Sequence, residues 1–233
     1  MNLPRPLPVM IFAAGFGTRM GALTQDRPKP LIEVAGRALI DHALDLVTAY
    51  TPPRTVVNLH YRADQLAAHL DGRGALLSHE TPDILDTGGG LRAALPLLGD
   101  GPVLTMNSDA IWRGPNPLPH LAAGWDGAHM GALLLCLPPD RALGHAGPGD
   151  FTLAPDGRLS RGPGLVYSGV QIIDPACLAG IPETVFSLNR AWNRLAAEGR
   201  LFGAVYPGHW CDVGHPEGIA LAEDMLAQTH VRD

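Results

Sequence analysis

Apolar residues fall along the chain in two rhythms. Short, nearly continuous apolar runs occupy 9–13, 55–59, 75–78, 103–106, 132–137 and 201–206, with a longer alternating run at 166–173. Each gives way within two residues to glycine, proline or a polar side chain. Runs this short predict strands, most of them buried on both faces. Between them, residues 41–50, 64–70, 89–98, 188–198 and 216–228 space their apolar positions three and four apart, which predicts helices. Gly99 and Gly199 stop two of these helices and Pro216 opens the last. Strands alternating with helices predict an α/β chain whose sheet is mostly parallel and covered on both faces. The segment 138–164 is rich in proline and glycine and reads as a loop-and-hairpin insertion. No linker demands a second domain, so 1–233 reads as one domain.

Composition narrows the picture. Of 233 residues, 46% are hydrophobic and 17% charged, as expected of a globular chain. The net charge of −6 argues against charge-driven binding to nucleic acid or to an anionic membrane, and leaves room for a local anion site. Cys136, Cys177 and Cys211 stand far apart, so neither a disulfide framework nor a thiolate zinc site is expected, and the cytoplasm is the expected compartment. The apolar run 9–14 is too short to cross a bilayer. Of the 17 basic residues, 16 are arginines and one is a lysine, Lys29. A compact ammonium differs from a planar guanidinium, so a position that keeps lysine against this bias hints at a need for a point charge.

The residues suited to chemistry lie mostly just beyond strand ends. Gly15-Phe16-Gly17-Thr18-Arg19-Met20 follows the first strand, where a glycine turn lets backbone amides approach a phosphate. Met20 stands where a dinucleotide fingerprint needs glycine, and the Gly-Lys-Ser/Thr of a Walker A loop is absent. A plain strand-exit turn is the alternative. In Arg27-Pro28-Lys29-Pro30-Leu31 two prolines fix the path on either side of the lysine and aim its stem; a solvated surface lysine is the alternative. Leu85-Asp86-Thr87-Gly88-Gly89-Gly90 opens a helix with three glycines, costly in conformational entropy unless something flat, such as a nucleobase, lies against the backbone. The simpler reading makes Thr87 an N-cap. Asn107-Ser108-Asp109 ends one strand, and Trp210-Cys211-Asp212-Val213-Gly214 comes about a hundred residues later. Taken singly each aspartate reads as a turn residue; taken together they are a pair of oxygen ligands suited to Mg²⁺. His209, Cys211, Asp212 and His215 invite a zinc reading, but no second cluster completes a tetrahedral site. Ser168-Gly169 lacks the elbow context of a hydrolase nucleophile.

Together these segments resemble the nucleoside-triphosphate:sugar-1-phosphate nucleotidyltransferases. The resemblance rests on Ala13-Ala14-Gly15-Phe16-Gly17-Thr18-Arg19-Met20, Leu23-Thr24, Pro28-Lys29-Pro30-Leu31, the triplet Gly88-Gly89-Gly90, Asn107-x-Asp109, Tyr167-Ser168-Gly169 and Trp210-x-Asp212-Val213-Gly214, in that order and over nearly the whole chain. Asp86-Thr87-Gly88-Gly89-Gly90 and the short length are most similar to the N-acetylmuramate-1-phosphate uridylyltransferases of bacterial cell-wall recycling. The resemblance implies a Rossmann-like three-layer fold with a central mixed, mostly parallel sheet. It also implies transfer of a nucleoside monophosphate, from UTP by preference, to a sugar 1-phosphate. On that basis Ala14, Gly15, Gly17, Thr18 and Arg19 would cradle the nucleotide phosphates, with Lys29 near the α-phosphate. Thr87 and Gly88 would meet the base, and Asp109 and Asp212 would hold Mg²⁺. Arg19, Lys29 and Asp109 would be the catalytic groups. Asn107, Asp150, Ser168 and Gly169 would lie on the sugar side.

Some positions depart from the family pattern. Ala22 stands where a proline is common before Leu-Thr, Ser108 replaces a common glycine and Asp86 a common glutamate. The Glu-Lys pair of many hexose enzymes is missing, with Leu159-Ser160-Arg161-Gly162 in its region. These departures touch the identity of the sugar. The rival readings are a mannose-1-phosphate guanylyltransferase, a phosphocholine cytidylyltransferase and, from another class, a nucleotide-binding regulatory subunit without turnover. Retention of Arg19, Lys29 and both aspartates argues against the last. No hexapeptide repeats are seen, so no acyltransferase β-helix is expected.

Overall fold

The computed structural model describes residues 5–228. Its strands, in chain order, are β1 (Val9–Phe12), β2 (Glu33–Val34), β3 (Arg37–Ala38), β4 (Thr55–Leu59), β5 (Leu76–His79), β6 (Val103–Asn107), β7 (Ala110–Arg113), β8 (Ala132–Leu137), β9 (Ala142–Leu143), β10 (Phe151–Leu153), β11 (Leu159–Arg161), β12 (Val166–Ile173), β13 (Leu201–Val205) and β14 (His209–Asp212). The helices are α1 (Leu39–Tyr50), α2 (Ala63–Leu70), α3 (Asp86–Leu98), α4 (Pro117–Ala122), α5 (Asn189–Ala197) and α6 (Glu217–Ala227).

Seven strands form the central sheet in the order β13-β8-β12-β6-β1-β4-β5. β6, β1, β4 and β5 run parallel, as do β13 and β8, while β12 is antiparallel to both of its neighbours. The sheet is therefore mixed and mostly parallel. Side chains on β1 alternate between its faces: Val9 and Ile11 pack with α1, α2 and α4, and Met10 packs with α3 and α5. Both faces exclude water, which is why these strands read as continuous apolar runs. On α1, Leu39, Ile40, Ala43, Leu44, Val47 and Tyr50 make the buried stripe, the three-and-four spacing of a one-sided helix.

The chain lays β4 and β5 to one side of β1, then returns to place β6 on the other. β1 and β6 thus flank a topological switch point, where neighbouring loops diverge and leave a crevice beyond the carboxyl ends of the strands. Most helix boundaries shift by a residue or two from the sequence reading. The third helix starts three residues earlier, at Asp86, and so contains all three glycines.

A second, three-stranded sheet, β7-β14-β9, was not legible in the sequence. The residues that follow the run at 201–206 form β14, which pairs antiparallel with β7 and parallel with β9. Within 138–164, β10 and β11 form an antiparallel hairpin.

Candidate active site

A cleft of about 310 Å³ opens at the switch point. One wall is the glycine loop after β1, comprising Ala14, Gly15, Gly17, Thr18 and Arg19. The floor holds Lys29, Asn107, Ser108 and Asp109, and the opposite wall holds Ile84, Asp86 and Thr87. Asn58, Glu80 and Gly214 also line it.

This loop is built around glycine conformation. Gly17 takes φ +65, and a Cβ there would stand 2.9 Å from both Lys29 Cβ and Thr24 Cγ2. Its missing side chain lets the lysine stem pass beneath the loop. Gly15 has no such neighbour within 4 Å. The Thr24 hydroxyl donates to the Gly17 carbonyl at 3.1 Å, and the Met20 amide donates to the same oxygen at 2.9 Å. These bonds hold the turn from below. The amides of Gly15, Phe16 and Gly17 make no hydrogen bond to any described residue, as befits a loop that receives an anion.

Pro28 is extended and Lys29–Leu31 form a single 3-10 turn. The turn carries Lys29 inward until only 9% of it is exposed. Its ammonium lies 2.6 Å from Asp109 Oδ2. The solvated alternative for Lys29 is thereby replaced by an ion pair between a buried lysine and a half-buried aspartate.

Asp109 and Asp212 meet through the small sheet. Asp212 pairs in register with Ala110, and the Val213 amide donates to the Asp109 carbonyl at 3.0 Å. The second carboxylate therefore comes from β14, not from the end of a central strand. Burial, then the negative charge of Asp109, push the Asp212 carboxyl above its ordinary value, against the opposing pull of Lys29, Arg19 and His215. No described residue donates a hydrogen bond to that carboxylate. Arg19 stands close by, its Nη1 3.4 Å from His215 Nε2. A half-buried carboxylate without a donor, coupled to a second carboxylate, is a donor set that fits a hard divalent cation sharing its shell with phosphate oxygens. It does not fit zinc: Cys211 is buried and its thiol is pushed up to about 11, and no cluster of three or more His, Cys, Asp or Glu suited to a metal occurs among the described residues.

The triglycine segment answers to protein packing. A Cβ at Gly88 would strike the Phe186 ring, one at Gly89 the Thr184 carbonyl, and one at Gly90 Glu80 Oε1. The Gly88 and Gly89 amides both donate to the Phe186 carbonyl, at 2.9 and 3.1 Å. The rationale of a flat ligand against three bare glycines is thus corrected. Gly88 lies behind the wall, while Thr87 and Asp86 face the cleft. The Thr87 hydroxyl accepts from the Leu188 amide at 3.0 Å. Asp86 takes φ +59, unusual for a residue with a side chain.

Among the residues expected on the sugar side, Gly169 has φ +83, and a Cβ there would meet Asn107 Nδ2 at 2.7 Å. The pairing of β12 with β8 is interrupted between Tyr167 and Gln171. The buried Ser168 hydroxyl donates to Leu135 O at 2.7 Å and accepts from Val170 N, so it serves this irregularity from inside the sheet. Asp150 Oδ2 accepts from Tyr167 N at 2.9 Å. Of these four, Asn107 lines the cleft.

Sequence reasoning passed over Asn58 and Glu80, which are 3% and 1% exposed. The available signal was an asparagine inside Val56-Val57-Asn58-Leu59, polar where a doubly covered strand should be apolar.

Comparison with known proteins agrees with this geometry. The MobA-like NTP transferase domain matches residues 9–163, and the chain belongs to that family of nucleotidyltransferases. It is 43% identical to the N-acetylmuramate alpha-1-phosphate uridylyltransferase of Caulobacter vibrioides over 96% of this chain and 98% of that one. Identity is 34% to the protein of the same name from Neisseria meningitidis serogroup B, over 88% and 92% of the two chains. A mannose-1-phosphate guanylyltransferase catalytic subunit beta from Dictyostelium discoideum is more distant, at 28% over 89% of this chain and 61% of its own. The fold matches that of a putative glucose-1-phosphate thymidylyltransferase from Bacillus anthracis with TM-score 0.78 at 15% identity, covering 94% of each chain. No described helix is long and apolar enough to cross a membrane.

Proposed function

We propose that this protein transfers UMP from UTP to a sugar 1-phosphate, with N-acetylmuramate 1-phosphate as the acceptor, releasing pyrophosphate. All of 1–233 acts as one transferase unit, with the 138–164 segment on the acceptor side. The observation that carries the reading is the convergence of the glycine loop, Lys29, Asp109 and Asp212 at one strand edge, in a chain 43% identical to a uridylyltransferase.

In this reading a phosphate oxygen of the sugar 1-phosphate attacks the α-phosphorus of the nucleotide. The new P–O bond forms as the bond to the β-phosphate oxygen breaks, and the electron pair leaves with pyrophosphate. Positioning and charge neutralisation supply most of the rate in such transfers. The amides of Gly15 and Gly17, together with Thr18 and Arg19, hold the departing phosphates, and Ala14 bounds the loop. Lys29 moves its charge from Asp109 to the α-phosphate. Thr87 faces the base, and Gly88 shapes the wall behind it. Asn107 and Gly169 border the acceptor, with Asp150 and Ser168 holding the strand beside it. Asp109 and Asp212 would hold Mg²⁺, whose chemistry is to neutralise phosphate charge in the transition state.

The test is pyrophosphate release across UTP, GTP, CTP and ATP against several sugar 1-phosphates. The expected result is fastest turnover with UTP and N-acetylmuramate 1-phosphate. Equal or faster turnover with GTP and mannose 1-phosphate would replace this reading with the guanylyltransferase one.

A further inference from the structure

A carboxylate and an amide are buried between the two walls of the cleft, without a cation to justify them. Glu80 follows β5 and Asn58 lies near the end of β4, the two strands on one side of β1. Asn58 Oδ1 accepts from the Ala13 amide at 2.7 Å, and Asn58 Nδ2 donates to Glu80 Oε1 at 2.7 Å. Glu80 Oε2 accepts from the Leu85 amide at 2.7 Å. The His60 ring donates from Nδ1 to the Glu80 carbonyl at 2.8 Å. No described Lys, Arg or His pairs with the Glu80 carboxylate.

Burying such a pair is costly, and two apolar side chains would hold these strands together without the desolvation penalty. What apolar side chains cannot do is bind two particular backbone amides. Those amides belong to the two walls: Ala13 leads into the phosphate loop, and Leu85 leads into Asp86 and Thr87. Asp86, the next residue along the chain, takes the unusual left-handed conformation at the start of α3. Gly90 on α3 lacks a side chain at the point where Glu80 Oε1 would collide with one, so the helix accommodates the carboxylate.

We propose that Asn58 and Glu80 are positioning residues that set the spacing between the phosphate-binding and base-facing walls, and hence nucleotide affinity. The inference rests on the nucleotide occupying this cleft.

Glu80→Gln keeps the shape but replaces one acceptor by a donor, so either Asn58 or the Leu85 amide loses its partner. Asn58→Asp combined with Glu80→Gln restores every donor and acceptor in the series and the total charge. The measurements are the Kd for UTP by calorimetry, KM for UTP and for the sugar 1-phosphate, kcat and Tm. Glu80→Gln is expected to raise KM and Kd for UTP about tenfold, the scale of one buried unsatisfied group, with KM for the sugar 1-phosphate unchanged. The double variant is expected to recover UTP affinity to within about threefold, since its partners are complete again. A merely structural role would instead lower Tm and kcat and leave KM for UTP alone. That outcome overturns the proposal, as does a folded double variant that binds UTP no better than Glu80→Gln. Where Glu80→Gln fails to fold, the double variant decides: wild-type affinity supports the proposal, and weak binding or failure to fold overturns it. If the unmodified protein binds no nucleoside triphosphate, the placement of the nucleotide fails. If it binds UTP and Glu80→Gln binds equally well, only the positioning role fails.

Discussion

Lys29 shows how a single side chain is tuned by its surroundings. With prolines on both sides and Gly17 above its stem, its ammonium reaches Asp109 as a compact point charge. Lys29→Ala is expected to lower kcat/KM by about 10²–10³-fold, with Lys29→Arg also poor; a near-wild-type rate in steady-state assays would return the residue to a structural role. The glycines of the same loop separate by cause. Gly17→Ala forces a left-handed alanine onto Lys29 and is expected to cost about 1–2 kcal/mol in the fold as well as activity. Gly15→Ala meets nothing in the protein, so Tm should hold while UTP affinity falls; calorimetry and thermal melts distinguish the two. At Asp212, burial and Asp109 raise the carboxyl pKa in the fold. Such a group favours the folded state while protonated, and that contribution is lost as pH rises through the raised value. Asp212→Asn should therefore raise Tm at neutral pH. The gain should shrink as pH falls toward the ordinary carboxyl value of 3.8, while Mg²⁺-dependent turnover is lost. A melting series from neutral to acid pH checks the sign. Lys29 and both aspartates were legible as candidates because each stood beside prolines or a strand end. Asn58 and Glu80 were not, because their meaning lies in backbone amides that no sequence pattern marks.

Among the elements, the central strands and long helices declared themselves because each buries a regular stripe or a continuous run. The sheet β7-β14-β9 did not. Its strands hold four, four and two residues, and the partner of Ala110 is Asp212, far along the chain. Local periodicity carries no information about such pairings. Helix α3 is the opposite case: its existence was plain and its glycines misled. Their purpose is to let the helix approach Phe186, Thr184 and Glu80. Gly88→Ala is expected to cost about 1–3 kcal/mol by overpacking against Phe186, seen as a lower Tm with or without nucleotide. A variant with unchanged Tm and weakened UTP binding alone would restore the nucleobase explanation of the triplet.

For the molecule as a whole, the alternation of strands and helices predicted the layered α/β fold, and the switch point between β1 and β6 places the cleft. The reversal of β12 was less legible, since an apolar run has no visible direction. The ion pair of Lys29 with Asp109 leaves the charge lining the cleft partly neutralised. Mg²⁺ alone should therefore move Tm little, whereas Mg²⁺ with UTP at 100 times its Kd should stabilise the fold by about 2.7 kcal/mol. Thermal-shift measurements with metal, nucleotide and chelator check this, and a large shift from Mg²⁺ alone would contradict it. The pairing of Ala110 with Asp212 also has a consequence in time. A ribosome delivers the phosphate loop, Lys29 and Asp109 well before Asp212, and at about 5–20 residues per second the roughly hundred residues between the two aspartates take on the order of 5–20 s to make. During that interval the nascent chain carries the glycine loop and Lys29 but only half of its carboxylate pair. In the proposed reading, transfer therefore waits for Asp212, whichever other parts of the cleft are already in place.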